Sequence, residues 1–100
     1  MKPLVLPLPI PQAVADGDPI RATGLDGFVF VLSGTFVADI ELWGSVDGDT
    51  WVDIGSGDYN APGIDTFRFY GALKWIRSKV TAYTSGEPVG VIAGGDTRSV

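Results

Sequence analysis

Apolar and polar positions alternate in short runs along this chain, with turn residues between the runs. Period-2 alternation over four to eight residues is the mark of a strand with one covered face. Pro19 to Thr23 is a short run of this kind. Phe28 to Ser33 (FVFVLS) is apolar on both faces, so it reads as a central strand covered on both sides. Gly34-Thr35 breaks it. Ala38 to Val46 alternates again: Ile40, Leu42 and Val46 point one way, and Asp39, Glu41, Trp43 and Ser45 the other. Asp47-Gly48 is a strong hairpin signal. The chain returns through Thr50 to Ile54, with Val52 and Ile54 expected on the core side. Gly55 to Asp65 is rich in Gly, Asp, Asn and Pro and reads as a loop. Thr66 to Tyr70 alternates with Phe67 and Phe69 inward, and Gly71-Ala72 turns.

Leu73 to Tyr83 is longer. Ile76, Val80 and Ala82 share one strand face; Leu73, Trp75, Arg77, Lys79, Thr81 and Tyr83 share the other. Few apolar residues recur at helical spacing, so it too reads as a strand. Pro88 to Ala93 is the last. About seven strands at intervals of about 8–12 residues predict an all-β protein, a single β-sandwich of jelly-roll or Greek-key type with about seven to eight strands. The expected organisation is an N-terminal arm over residues 1–15, a sandwich over 16–96 and a loose tail over 97–100.

The opening, MKPLVLPLPIPQ, breaks the pattern. Pro7, Pro9 and Pro11 exclude a helix and disfavour a central strand. Leu4, Val5, Leu6, Leu8 and Ile10 are too apolar for a free tail. Two readings follow. The segment packs on its own domain, covering a sheet edge. Or it is an extended Pro-rich arm laid across a neighbour, its order prepared by proline. The second is the expectation, with those five aliphatics as partner-binding residues. The same prolines argue against a secretion signal, although Lys2 and Ala13-Val14-Ala15 resemble its flanks.

Composition narrows the function. The chain of 100 residues carries a formal charge of −5 and scatters its seven basic residues, which disfavours nucleic-acid binding. No run approaches the length of a membrane span. There is no His and no Cys, which removes thiol nucleophiles, disulfides, the usual zinc sites and the commonest general base. Asp47, Asp49, Asp53, Asp58 and Asp65 cluster near turns, where Asp has local reasons to sit. They lack the spacing of an EF-hand loop and the fixed cleft of a paired-carboxylate glycosidase. No enzyme, metal or cofactor is expected. Trp43, Trp75, Arg77 and Tyr83 form a candidate partner-binding sheet face. Stacked aromatics beside polar groups can also hold sugars, or serve as cross-strand packing.

Two stretches carry resemblances. Ser45 to Trp51 (SVDGDTW) is similar to the hairpins of galactose-binding-like β-sandwiches and to the Asp-box of sialidase propellers, one residue shorter. In both, the motif is structural, which implies a hairpin built on Asp47, Gly48, Thr50 and Trp51. More widely, residues 27–96, through WGSVDGDTWVDIGSG and KWIRSKVTAYTSGEPVGVIAGGD, resemble small β-sandwich or jelly-roll structural proteins of tailed bacteriophage virions. That resemblance implies a capsid decoration (cement) subunit, assembled in the host cytoplasm and placed on the outer capsid surface. It would bind the major capsid protein, associate as a dimer or trimer, and use no catalytic residue. A sandwich module of tail or baseplate that binds carbohydrate during host adsorption is the other possibility it leaves.

Overall fold

The computed structural model describes residues 2–23, 25–55, 57–68 and 73–96. Its elements are all strands: β1 (Lys2–Leu8), β2 (Ile20–Arg21), β3 (Leu25–Ser33), β4 (Phe36–Ser45), β5 (Val52–Asp53), β6 (Gly63–Arg68), β7 (Trp75–Gly86) and β8 (Val89–Asp96). They form two antiparallel four-stranded sheets. Sheet A runs β1-β8-β3-β6, and sheet B runs β2-β7-β4-β5. The all-β sandwich predicted from strand alternation is the fold. Phe69, Tyr70, the Gly71-Ala72 turn and the tail 97–100 lie outside the described residues.

The core lies between the sheets. Sheet A contributes Leu8, Phe28, Phe30, Leu32, Phe67 and Ile92, and sheet B contributes Ala38, Ile40, Leu42, Ile76 and Val80. Phe28 stacks on Phe67 with centroids 5.0 Å apart, and Phe30 meets Tyr59 edge-on at 5.0 Å. Alternation thus placed Ile40, Leu42, Ile76, Val80 and Phe67 correctly. It failed at the strand ends. Val46 and Val52 are exposed, because both flank the turn at the tip of the β4–β5 hairpin. Only Ile54 of that return packs on the core.

Successive strands change sheet twice at one corner, at β3–β4 and β7–β8. Gly34 and Gly86 both have positive φ there, 96° and 94°. A Cβ at Gly34 would strike the Glu87 carbonyl, and one at Gly86 would strike the Thr35 carbonyl. Glu87 N–H donates to that Thr35 oxygen at 2.9 Å. The two crossings therefore clasp each other through backbone, at positions only glycine fits.

The N-terminal segment is not an arm reaching away from the domain. Lys2–Leu8 pairs with β8 from Lys2↔Asp96 to Leu8↔Gly90, as an edge strand of the chain's own sheet. β1 is thus built into the same sheet as β8. The prolines permit this because Pro3 and Pro7 share one parity. Alternate residues of an antiparallel strand turn their N–H toward the partner, and the ladder to β8 needs none from the proline positions. Those positions face the outer edge, where a missing donor also blocks further strand addition. Of the five aliphatics assigned to a partner, Leu8 is in the core at 3% exposure, and Leu6 and Ile10 pack against it. Val5 is 66% exposed, and the Leu4 side chain lies outside the described residues. Ile10 fits over Gly90, where a Cβ would sit 2.7 Å from its Cδ1. The buried Ser78 hydroxyl then ties the segment to sheet B by donating to the Pro9 carbonyl at 2.7 Å.

Docking in cis has a measurable consequence. Leu8→Ala should lower unfolding free energy by about 2–5 kcal/mol in urea titration, and Val5→Ala by no more than about 0.5 kcal/mol. Equal, small effects would mean that β1 is not seated in its own sheet.

Candidate binding face

The outer face of sheet B gathers the aromatic and basic residues. β7 presents Trp75, Arg77 and Lys79, because Ile76, Ser78 and Val80 take the inner positions. In register, Ser45 lies opposite Trp75, Trp43 opposite Arg77 and Glu41 opposite Lys79. β2 adds Arg21, paired with Trp75, and the hairpin return adds Trp51. Each tryptophan ring meets a cation. The Arg21 guanidinium lies 4.8 Å from the Trp75 ring centre, Arg77 lies 4.2 Å from Trp51, and the Lys79 ammonium lies 5.1 Å from Trp43. All three separations are within cation–π range.

Carboxylates complete the face. The Trp43 indole N–H donates to Glu41 Oε1 at 3.0 Å. Arg77 reaches Asp16 at 3.5 Å, on the stretch that runs beside β7 ahead of β2. Backbone bonds from Gly17 N–H to Ser78 O and from Val80 N–H to Ala15 O fix that stretch. Exposed cation–π pairs contribute only about 0.5–1 kcal/mol each, small beside the burial of the core. The face is thus ordered by its contacts without being what holds the fold together.

Trp43, Trp75 and Arg77 stand together here as the sequence predicted, but Tyr83 does not join them. β7 carries two extra residues against β4. Asp39 pairs with Ala82 while Ile40 pairs with Val80, leaving Thr81 unmatched; Val37 pairs with Ser85 and Ala38 with Tyr83, leaving Thr84 unmatched. A bulge shifts side-chain parity by one. Ala82 therefore turns outward, and Tyr83 turns in to pack on the core. Its hydroxyl donates to the Gly86 carbonyl at 2.7 Å, beside the inter-sheet clasp. Bulges leave no trace in a simple alternation count. Arg21 and Trp51 were missed as members of the face for another reason: their rings and cations meet across strands distant in sequence.

The Asp47-Gly48 hairpin closes one end of this face. Gly48 has φ 86°, as the turn requires, and a Cβ there would sit 3.2 Å from the Trp75 indole nitrogen. Ser45 Oγ accepts from Gly48 N–H at 2.7 Å and donates to Asp47 Oδ1 at 3.0 Å. Asp47 Oδ1 also accepts from Asp49 and Thr50 N–H, both at 2.8 Å. Asp47 is therefore a turn-closing residue. Thr50 contributes its backbone rather than its side chain, and Trp51 stacks on Arg77. The other sequence-flagged carboxylates divide. Asp53 and Asp65 accept hydrogen bonds within their own loops and strands, Asp65 from the Tyr59 hydroxyl. Among the described residues no three of His, Cys, Asp and Glu converge as metal ligands, and no helix is long and apolar enough to cross a membrane.

Sheet A has an outer face as well, one not expected from the sequence to have a role. Its register aligns Pro7, Val91, Val31 and Ile64 in one row, and Val5, Ala93, Val29 and Thr66 in the next. The signal was present in FVFVLS, whose second apolar face implies a cover. Comparison with known proteins adds no identification: no family model matches the chain, and neither does any curated protein or solved structure.

The hairpin makes a pH-dependent prediction. The backbone N–H groups of Thr50 and Asp49, with the Ser45 hydroxyl, hold the Asp47 carboxyl below its ordinary 3.8. A depressed folded pKa stabilises above the unfolded value, and that stabilisation is lost as pH falls through the folded one. Asp47→Ala should therefore lower Tm at neutral pH, with the deficit shrinking in acid below 3.8. NMR titration of the Asp47 carboxyl should give a midpoint below that value, and a midpoint at or above it would contradict the turn geometry.

Proposed function

We propose that the protein is a non-catalytic structural subunit that binds a protein lattice through the outer face of sheet B, and specifically a decoration protein of a tailed-bacteriophage capsid. The observation that carries the binding reading is the set of tryptophan–cation pairs on that face. Trp and Arg are the usual anchors of protein interfaces. Here they are held in position by neighbours yet contribute little to the core, which is how a recognition surface differs from packing. Rigid, preordered side chains also lose less entropy on docking.

The virion assignment draws on further support. The strand pattern of residues 27–96 is what suggests virion sandwich proteins. The strand order β1-β8-β3-β6 against β2-β7-β4-β5 supports an eight-stranded jelly roll, an architecture that viral capsid domains use. Lectins use it too, so fold analogy by itself chooses no function. The negative net charge suits a position outside the shell, away from packaged DNA. In this reading the partner is the major capsid protein, with further copies of the chain alongside.

The carbohydrate-binding alternative needs open aromatic faces. Arg21, Arg77 and Lys79 already stand over Trp75, Trp51 and Trp43. A stacking sugar would compete with these cations, which favours a protein partner.

The test is copy counting by quantitative mass spectrometry on purified virions, with Trp43→Ala and Arg77→Ala variants. The proposal expects copy numbers comparable to those of the major capsid protein. Each variant should bind at least about tenfold more weakly, as expected for an interface anchor worth about 1.4 kcal/mol or more, with the circular dichroism spectrum unchanged. A handful of copies associated with tails, and glycan binding abolished by Trp75→Ala, would replace it with the adsorption module.

A further inference from the structure

The outer face of sheet A has the composition of an interior. Its rows are Pro7-Val91-Val31-Ile64 and Val5-Ala93-Val29-Thr66, with Val89 and Ser33 paired beyond them. Ile64 is 72% exposed, Val5 66% and Val89 50%. Among the described side chains, the charge on this face is Arg68, at one border opposite Gly27. Contiguous exposed apolar surface of this extent marks an interaction site. Antiparallel sheets with one solvated face ordinarily place polar residues there, as sheet B does.

We propose that this face is covered by a second copy of the same chain, the two A sheets stacking face to face about a twofold axis. The proposal rests on the reading of the chain as an assembly subunit. Two features select a second copy over another protein. The first is charge. A chain of net charge −5 repels its own copies in general. This face carries none of that negative charge among its described side chains, so two copies meeting here bury no carboxylate against carboxylate. Beyond the hydroxyls of Ser33 and Thr66 and the bordering Arg68, its described side chains offer no polar groups by which a different partner would be steered and registered. An apolar, pleated, self-complementary surface is what an isologous contact needs, and homodimer interfaces are the more apolar class.

The second feature is area. Four strands about 4.8 Å apart and three cross-strand rows about 6.6 Å apart give a footprint of roughly 19 by 20 Å. Side-chain relief raises the accessible area covered to roughly 500 Å² per copy, or roughly 1,000 Å² in all. That reaches the lower bound for a specific interface. It predicts a dimer that dissociates on dilution rather than an obligate one. β1 is part of this surface through Val5 and Pro7, so its seating in cis is required for the face to exist.

The experiment is sedimentation velocity on the purified full chain across a concentration series up to about 100 μM, compared with Ile64→Lys, Thr66→Lys and Val46→Glu. Ile64 and Thr66 are exposed, so their variants should fold; Val46 is exposed but lies off the face, on the β4–β5 hairpin. The expected result is a monomer–dimer equilibrium, weakened about 100-fold or more by either lysine, as burial of an unpaired charge would do, and unchanged by Val46→Glu. A chain that stays monomeric throughout would mean that the face awaits a different protein, and would overturn the proposal. So would an oligomer indifferent to both lysines. Virion copy counting separates the two readings: a dimer absent from virions would sink the capsid role alone, and a decorating monomer would sink this one alone.

Discussion

A sandwich of two sheets covers one face of each and leaves two faces over. In this chain the inner faces are settled by hydrophobic burial. Phe30 and Ile92 meet Ile40, Leu42, Ile76 and Val80, all fully buried. The rest depends on that layer. It fixes strand parity, and parity decides which residues reach the outside. The backbone clasp at Gly34 and Gly86 keeps the two sheets in register at one corner. The Ser78–Pro9 hydrogen bond ties the first strand of one sheet to the middle of the other.

The two outer faces are treated differently. Sheet B meets water with charges, and it uses them to brace tryptophans through ring–cation contacts. Sheet A meets water with Val, Ile, Pro and Ala. An isolated globular domain has little reason to maintain either arrangement. The first orders large side chains that the core does not need; the second leaves apolar area exposed. Both become intelligible if the outside of this small protein is the inside of a larger assembly. The proposed capsid role and the proposed dimer assign one face to the lattice and the other to a second copy.

Much of this was legible in the sequence. Alternation in ADIELW gave the inner Ile40 and Leu42 and the outer Glu41 and Trp43, and Asp47-Gly48 gave the left-handed turn that sits against Trp75. Three things were not legible. Proline density hid β1, because what matters is proline parity within an edge strand rather than proline count. The bulge at Thr81 turned Tyr83 inward, since bulge positions answer to partner length and not to local pattern. The two-faced apolarity of FVFVLS was read as a strand covered from both sides. Among the described residues the chain covers one side only, and the other side is the face proposed above for a second copy.

Hydroxyl-radical footprinting of the protein on purified virions that carry it, as the proposed role requires, compared with the dilute free chain, tests the central claim most directly. It reads side-chain exposure on both outer faces in one experiment. The account predicts protection of Trp43, Trp51 and Trp75 on sheet B and of Val5, Val31 and Ile64 on sheet A, with Val46 and Val52 on the hairpin unchanged. Protection confined to the hairpin and loops, with both faces as reactive as in the free chain, would contradict it.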